Sequence, residues 1–363
     1  MLLYITRKYP PSVGGMQRFN FKLVKHLKAR IKLYLISWGG SQMVLPFFLI
    51  YALLSGIFIC FVKPIRCIYV ADGLLSPVGY LLKLITKKPV LVTIHGRDIA
   101  YPLAIYQKLL CYSLNRMDKI ICVSSKLREE CIIRKVSPDK ITVIPNGIDP
   151  SDFTSKEDAL PDGSSSSLLE KITRNKKILL TVGRLVPKKG IHSFIENIFP
   201  KILAVRKDIV YVIVGEGPLR NNLLNLIAKL GLQKDVFLCG KINMDNPGLI
   251  HIYKKSDVFI LPNIRVKDDM EGFGIVALEA GAAGKVVVAT NVDGISEAII
   301  EGENGFLMRE GDYNGFANKV LNILKNDKEC ESLGRNSQQF VSRNYSWETI
   351  SIKYFETIKA LTA

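Results

Sequence analysis

A chain of 363 residues exceeds what one hydrophobic core usually serves, about 250 to 300 residues, so two domains are expected. With 48% hydrophobic and 23% charged residues the chain can bury a large core, which excludes a disordered protein. Fifty Lys+Arg against 33 Asp+Glu give a net charge of +17, which implies an anionic partner: nucleic acid, a phosphorylated substrate or an acidic membrane surface.

The N-terminus, MLLYITRKYPP, has no cationic region before its apolar run and no cleavage site, so it reads as a first strand, Leu2 to Thr6, and not as a signal peptide. A helix from Gly15 to Arg30 and a strand from Ile31 to Ser37 follow. Next comes an uncharged run of twenty residues, Met43 to Val62, long enough to span a bilayer. It lies between two strands, where an alternating α/β domain requires a crossover helix, and Pro46, Ser55 and Gly56 weaken the case for a span. The pattern continues with strand Cys67 to Val70, a helix near Pro77 to Ile85, strand Pro89 to Ile94 and a helix from Tyr101 to Asn115. Strand Lys119 to Val123, a short helix from Lys126 and strand Ile141 to Ile144 close the first series. Pro161 to Ser167 (PDGSSSS) has linker chemistry. A second series of strands runs through Lys177 to Val182, Ile209 to Val214, Val236 to Cys239, Val258 to Leu261, Val286 to Ala289 and Gly305 to Met308.

Such alternation builds doubly wound parallel sheets, so the fold class is α/β with two Rossmann-like lobes facing a cleft. The expected domains are residues 1–165, residues 166–340, and a C-terminal helix in 341–363 that crosses back to the first lobe. The charge is uneven between them, because residues 1–165 carry 23 basic and 11 acidic side chains. The seven cysteines contain no C-x-x-C pair and mostly lie in apolar runs, which suits reduced core thiols in a cytosolic protein and gives no zinc site.

Ligands of these sheets bind beyond the carboxyl ends of the strands, so the chemistry is sought in the loops there. The first such loop ends in Gly14-Gly15 at a helix start, where the backbone can approach a phosphate or simply make a tight turn. Strand Val90 to Ile94 delivers His95-Gly96-Arg97-Asp98, with His95 either exposed to ligand or capping the next helix. After Lys177 to Val182 come Arg184 and Lys189, a planar guanidinium and a mobile ammonium on a proline-stiffened loop, able to grip a diphosphate. Gly215-Glu216-Gly217-Pro218 is half a dinucleotide fingerprint without its closing glycine, so NAD binding has little support. The sharpest signal is Glu271-Gly272-Phe273-Gly274-Ile275-Val276-Ala277-Leu278-Glu279. On a continuous helix the two glutamates would be about 80° apart, with unpaired amides from Phe273 to Val276 free to bind sugar hydroxyls or phosphate. The chain contains no D-x-D pair, so no metal site for a nucleotide diphosphate is expected and cationic residues must neutralise it.

Taken together, Gly14-Gly15, His95 to Asp98, Ile144-Pro145-Asn146-Gly147-Ile148-Asp149, Gly183 to Gly190, Gly215 to Pro218 and Glu271 to Glu279 resemble, in order and spacing, the retaining glycosyltransferases of family 4, with the GT-B fold. The resemblance covers nearly the whole chain. It implies that Arg184 and Lys189 hold the donor diphosphate, Glu271 the donor sugar and Glu279 the nucleotide ribose, with Gly14, Gly15, Gly272, Phe273, Gly274, Ile275 and Val276 completing the donor site. His95 would line the sugar and acceptor side with Arg97 and Asp98 beside it. Asn263 to Glu271 looks like a subgroup that includes mannosyl- and glucosyltransferases acting on lipid-linked acceptors. One departure is Asp293-Gly294, where the family usually has paired glycines; Asp tolerates a left-handed turn.

The resulting expectation is a hexosyltransferase of envelope polysaccharide or glycolipid synthesis that uses a nucleotide-diphosphate sugar and needs neither cofactor nor metal. A nucleotide-sugar epimerase on the same scaffold is the alternative, because fold alone does not fix function. A nucleic-acid partner is not expected, since no recognition helix, RNP motif or aromatic-basic interleaving occurs. The Gly15 to Arg30 helix is amphipathic and basic, and with the Met43 to Val62 run it predicts a cytoplasmic enzyme held peripherally at the anionic inner face of the cell membrane.

Overall fold

The computed structural model describes residues 1–101, 103–154, 175–242, 246–267 and 269–362, and the expected linker at Pro161 to Ser167 lies outside the described residues. It contains two compact units, residues 1–147 with 345–363, and residues 148–344.

The first unit is a six-stranded parallel sheet, β1 Leu2–Thr6, β2 Leu33–Ser37, β3 Cys67–Val70, β4 Val90–Ile94, β5 Lys119–Cys122 and β6 Ile141–Val143, in the order β2-β1-β3-β4-β5-β6. Central strands of a parallel sheet are covered on both faces, which is why β1, β3 and β4 are apolar runs buried along their whole length. The order reverses between β1 and β3, so the loops after these two strands flank the crevice in which such sheets take ligands.

Alternate residues of β3 show which helix lies on which face. Tyr69 belongs to a cluster with Phe19, Leu23 and Leu27 of the Gly15–Lys28 helix and with Trp347, Ile350, Tyr354 and Ile358 of the Trp347–Ala360 helix. Val70 points to the other face, where a Cβ built on Gly79 of the Ser76–Thr86 helix would lie 3.2 Å from its Cγ1. The apolar run folds as the Leu45–Val62 helix and packs on that second face, with Gly56 so close to Leu82 that an added Cβ would meet it at 2.9 Å.

These positions correct one expectation. The apolar side of the Gly15–Lys28 helix is buried between the sheet and the C-terminal helix, and Arg30 is ion-paired to Glu348. Its amphipathicity belongs to the core, and the Leu45–Val62 helix is not its neighbour on one surface.

The second unit is also a six-stranded parallel sheet, β7 Lys177–Val182, β8 Ile209–Val214, β9 Val236–Leu238, β10 Val258–Leu261, β11 Val286–Thr290 and β12 Gly305–Met308, ordered β12-β11-β10-β7-β8-β9. Its reversal falls between β7 and β10. The core is aromatic and aliphatic, with Phe194, Phe199, Tyr211 and Phe316 packed ring against ring.

Candidate donor and acceptor sites

In the second unit the loops after β7 and β10 are locked together at the reversal. Gly190 has φ +63°, and a Cβ there would sit 1.8 Å from the Pro262 carbonyl oxygen, so this close approach requires glycine. The Ile264 amide donates to the Lys188 carbonyl at 3.0 Å. Lys188 is buried, and its ammonium donates to Asp269 Oδ1 and to the Met270 carbonyl, both at 2.9 Å.

This framework brings Lys189 to Glu271, with Nζ 2.7 Å from Oε2. Asn263 Nδ2 donates to the same oxygen at 3.3 Å, and Asn263 Oδ1 is buried with no hydrogen-bond partner among the described residues. Burial alone would push the Glu271 carboxyl up. The ammonium groups of Lys189 and Lys188, the Lys189 hydrogen bond and the Arg184 guanidinium overcome this and hold it below the ordinary carboxylate value. Arg184 itself is exposed on the loop after β7.

Glu271 does not lie on a helix. The helix is Ile275–Ala282, begun at Gly274 without a side-chain cap, so the 80° estimate for two glutamates on one helix does not apply. Glu271, Gly272 and Phe273 precede it outside any helix or strand. Asp293, at the departure from paired glycines, has φ +48°, and its Oδ2 accepts the Glu271 amide at 3.0 Å. Gly294 donates its amide to the Glu271 carbonyl at 3.1 Å, and a Cβ on it would lie 2.3 Å from the Gly272 oxygen. Glu279, on the helix, is 4% exposed and accepts a 2.9 Å hydrogen bond from the buried Tyr253 hydroxyl. Gly215 and Gly217 serve loop packing, since added Cβ atoms would meet the carbonyl oxygens of Gly183 at 1.8 Å and Leu185 at 2.4 Å.

In the first unit, Gly15 is exposed and an added Cβ would have nothing within 4 Å, so this helix start is open to approach. His95 follows β4, half-buried, edge-on to Phe19 at 4.7 Å. Its Nε2 lies 3.1 Å from the Ala71 carbonyl, which makes Nε2–H the donor and leaves Nδ1 as an acceptor. Burial lowers the His95 pKa, opposed by Asp98 and Asp72, so the neutral ring is favoured. Asp98 is a clamp: it accepts the amides of Gly73 at 3.0 Å, His95 at 3.0 Å and Gly96 at 2.8 Å, tying the loops after β3 and β4. Arg97 opens the short Arg97–Ala100 helix, and its side chain lies outside the described residues.

Several polar residues here had no motif to announce them. Arg7 Nε lies 3.0 Å from Asp72 Oδ2, joining the ends of β1 and β3, and Tyr253 takes its place from tertiary packing alone, while Asn263 opened the Asn263 to Glu271 segment without a role of its own. Among the described residues, no group of three or more His, Cys, Asp or Glu side chains is placed to hold a metal ion.

Comparison with known proteins matches two family models in succession. "Glycosyltransferase Family 4" covers residues 13–152 and "Glycosyl transferases group 1" residues 169–340. An uncharacterized glycosyltransferase of Methanocaldococcus jannaschii is 33% identical over 78% of this chain and 72% of its own length. The Escherichia coli UDP-Gal:alpha-D-GlcNAc-diphosphoundecaprenol alpha-1,3-galactosyltransferase is 32% identical over 66% of this chain and 61% of its own. The phosphatidylinositol N-acetylglucosaminyltransferase GPI3 subunit of Saccharomyces cerevisiae is 28% identical over 69% of this chain, which spans about half (52%) of the yeast protein. Among solved structures, Anabaena HepE in complex with UDP-glucose superposes with a TM-score of 0.77 at 20% identity, covering 99% of this chain and 100% of the other. Paired parallel sheets of this order, with both family models matched in turn, make this chain a member of the family 4 glycosyltransferases, with the GT-B fold.

Proposed function

We propose that the protein transfers a hexose from a uridine-diphosphate sugar to a lipid-linked acceptor with retention of configuration, in envelope glycan or glycolipid synthesis. The observation that carries the donor assignment is the Lys189–Glu271–Asn263 group at the sheet reversal, with Arg184 on the same loop. Two cations on the loop after β7 suit a diphosphate, and an ionised carboxylate beside a buried amide oxygen lacking a partner suits sugar hydroxyls. Glu279 is proposed for the ribose, and the amides of Gly272, Phe273, Gly274 and Val276 for the phosphate or sugar, the Ile275 amide being given to the Phe273 carbonyl at 2.9 Å. In this reading the first unit supplies acceptor contacts through the Nδ1 acceptor of His95, and its open Gly15 turn takes a phosphate.

The uridine assignment draws support from HepE, solved with UDP-glucose, and from the E. coli relative, named for UDP-Gal. The lipid-linked acceptor draws support from that same relative, named for a diphosphoundecaprenol substrate, and from the yeast phosphatidylinositol enzyme. An acceptor held in a bilayer makes peripheral attachment to the inner face of the membrane part of the proposal. Diphosphate neutralisation by Arg184 and Lys189 makes it metal-independent.

The test is a thermal-shift screen of UDP, GDP and their hexose conjugates, followed by transfer of labelled sugar into a lipid extract. A ligand that binds only the folded state raises its stability by mass action. A shift with UDP-sugars and label in the lipid phase is expected. No shift with any nucleotide would overturn the reading.

A further inference from the structure

The Leu45–Val62 helix is the one described helix long and apolar enough to cross a membrane. It does not lie free to do so. Phe48, Ala52, Gly56 and Cys60, every fourth residue, form a buried stripe along its length against the Ser76–Thr86 helix and the sheet. The opposite side faces solvent: Phe47 is 71% exposed, Leu54 61%, Phe58 65% and Phe61 71%.

The exposed apolar surface continues across the layer. The Ser76–Thr86 helix, packed beside it, leaves Leu84 and Ile85 exposed. The Ala104–Leu114 helix, joined to that one by the Ser76–Ser113 hydroxyl contact at 2.7 Å, leaves Ile105 and Leu109 exposed. Three adjacent helices on one face of the sheet therefore each turn apolar residues outward, which is far beyond the scattered single exposures normal for a soluble surface.

Charge selects the occupant. Residues 1–117 contain sixteen Lys and Arg and two acidic residues, Asp72 and Asp98, both buried. The first unit holds 24 basic and 8 acidic residues, against 26 and 25 in the second, so all but one of the 17 net positive charges belong to the unit with the apolar face. Exposed cations stand at the ends of these helices: Lys63, Arg66, Lys87 and Arg116. The Arg116 guanidinium lies 3.5 Å over the ring of the half-exposed Tyr112, an aromatic-cation pair of the kind found where apolar core meets headgroups. An apolar centre with basic ends and no exposed carboxylate fits an anionic lipid bilayer.

We infer that the layer formed by residues 45–62, 76–86 and 104–114 is a monotopic insertion face, with the Leu45–Val62 helix lying in the plane of an anionic leaflet and the Gly15–Lys28 helix turned away from it. This rests on the lipid-acceptor reading above and names the surface that reading requires.

The test is flotation with vesicles of 30% phosphatidylglycerol in phosphatidylcholine, alongside UDP binding as a separate measure of the donor site. Wild type should float, with at least tenfold less bound to pure phosphatidylcholine. Phe58→Glu/Phe61→Glu should lose at least tenfold in vesicle binding while melting at the same temperature. Lys25→Glu/Lys28→Glu, on the opposite face of the sheet, should change it less than twofold. In Phe58→Trp, the indole fluorescence gained over wild type should be quenched by lipids brominated in the upper acyl chain. Vesicle binding that survives the double glutamate variant, or that Lys25→Glu/Lys28→Glu abolishes instead, overturns the inference. So does a dimer that the double variant dissociates without any vesicle binding, or a Leu45–Val62 segment with its two ends on opposite sides of the bilayer. Loss of UDP binding with flotation intact would instead sink the donor reading and leave the face standing.

Discussion

Lys189 and Glu271 stand 82 positions apart in sequence and 2.7 Å apart in space, each less than one-fifth exposed. A carboxylate so enclosed would ordinarily be protonated more easily; here neighbouring cations keep it ionised. Its folded-state pKa is depressed, so its contribution to stability is present above the unfolded value of about 4.3 and is lost as pH falls through the folded value. Glu271→Gln should therefore cost about 1.5–3 kcal/mol near neutral pH, the scale of a hydrogen bond to a charged group. The gap to wild type should close progressively below about pH 4.3. Thermal melts of both proteins from pH 7 to pH 3 check it, and a gap that stays constant or widens on acidification would count against the pair.

Arg184 and Lys189, on the loop after β7, have different surroundings, and their removal should differ accordingly. Arg184 is exposed, so Arg184→Ala should leave the melting temperature within experimental error while lowering kcat/KM about 10²- to 10³-fold. Lys189→Ala should show a similar catalytic loss together with lower stability, because it strands the Glu271 carboxylate. Steady-state kinetics with and without a chelator complete the measurement. Activity that disappears in chelator would refute neutralisation by these side chains.

The strands were legible because a strand buried on both faces is an uninterrupted apolar run. Leu2–Thr6, Lys177–Val182 and Ile209–Val214 carry the bounds their sequences predict. The expected Tyr101 to Asn115 helix is instead Arg97–Ala100 followed by Ala104–Leu114, with Tyr101 extended, as a residue preceding proline tends to be. Helical periodicity told that the Gly15–Lys28 helix has an apolar side but not what covers it. The answer, Trp347 and its helix, lies more than 300 residues away. Among the candidate site residues, motif spacing found Lys189 and Glu271 but placed Glu271 on a helix it only approaches. Tyr253 and Arg7 were silent, because a contact across tens of residues leaves no local pattern.

Trp347 is 3% exposed, edge-on to Phe19 at 5.3 Å, and so tight against Gly147 that an added Cβ there would meet its indole at 2.7 Å. The C-terminal helix is thus part of the first unit's core. Trp347→Ala should destabilise the protein by about 3–5 kcal/mol. Removal of residues 346–363 should leave a chain that precipitates or exposes dye-binding apolar surface. Denaturant titration of the point variant and dye binding of the truncated chain would show it; a truncated chain as soluble and cooperative as the whole would contradict the packing.

His95 has its Nε2–H committed to the Ala71 carbonyl and its pKa lowered by burial. With the folded value below the ordinary value of about 6.5, the unfolded chain takes the proton first. Stability from this group is whole above about pH 6.5 and declines as pH falls towards the folded value. His95→Gln should remove that decline, seen as a flatter melting temperature between pH 7 and 5. If the neutral Nδ1 receives a substrate hydroxyl, kcat/KM of wild type should fall at lower pH than the stability does, where His95 of the folded enzyme itself takes the proton, and the variant should lose both rate and that acid limb. A pH profile unchanged by His95→Gln would remove His95 from the acceptor assignment.

The proposed retention of configuration predicts transfer without a covalent intermediate on Glu271. A nucleophilic carboxylate must be free to attack the anomeric carbon, yet Glu271 Oε2 is held by Lys189 and Asn263 and its backbone is pinned by Asp293 and Gly294. Those contacts suit a residue that orients sugar hydroxyls. In the proposed front-face transfer the acceptor proton would move to the leaving phosphate oxygen as the new bond forms on the side the diphosphate departs, and no glycosylated protein would accumulate. Retention of configuration, measured by NMR of the product, and unmodified Glu271 in the mass spectrum of protein quenched during turnover are the expected results. An inverted anomer, or a hexose adduct on Glu271, would show that the carboxylate does more than hold the sugar.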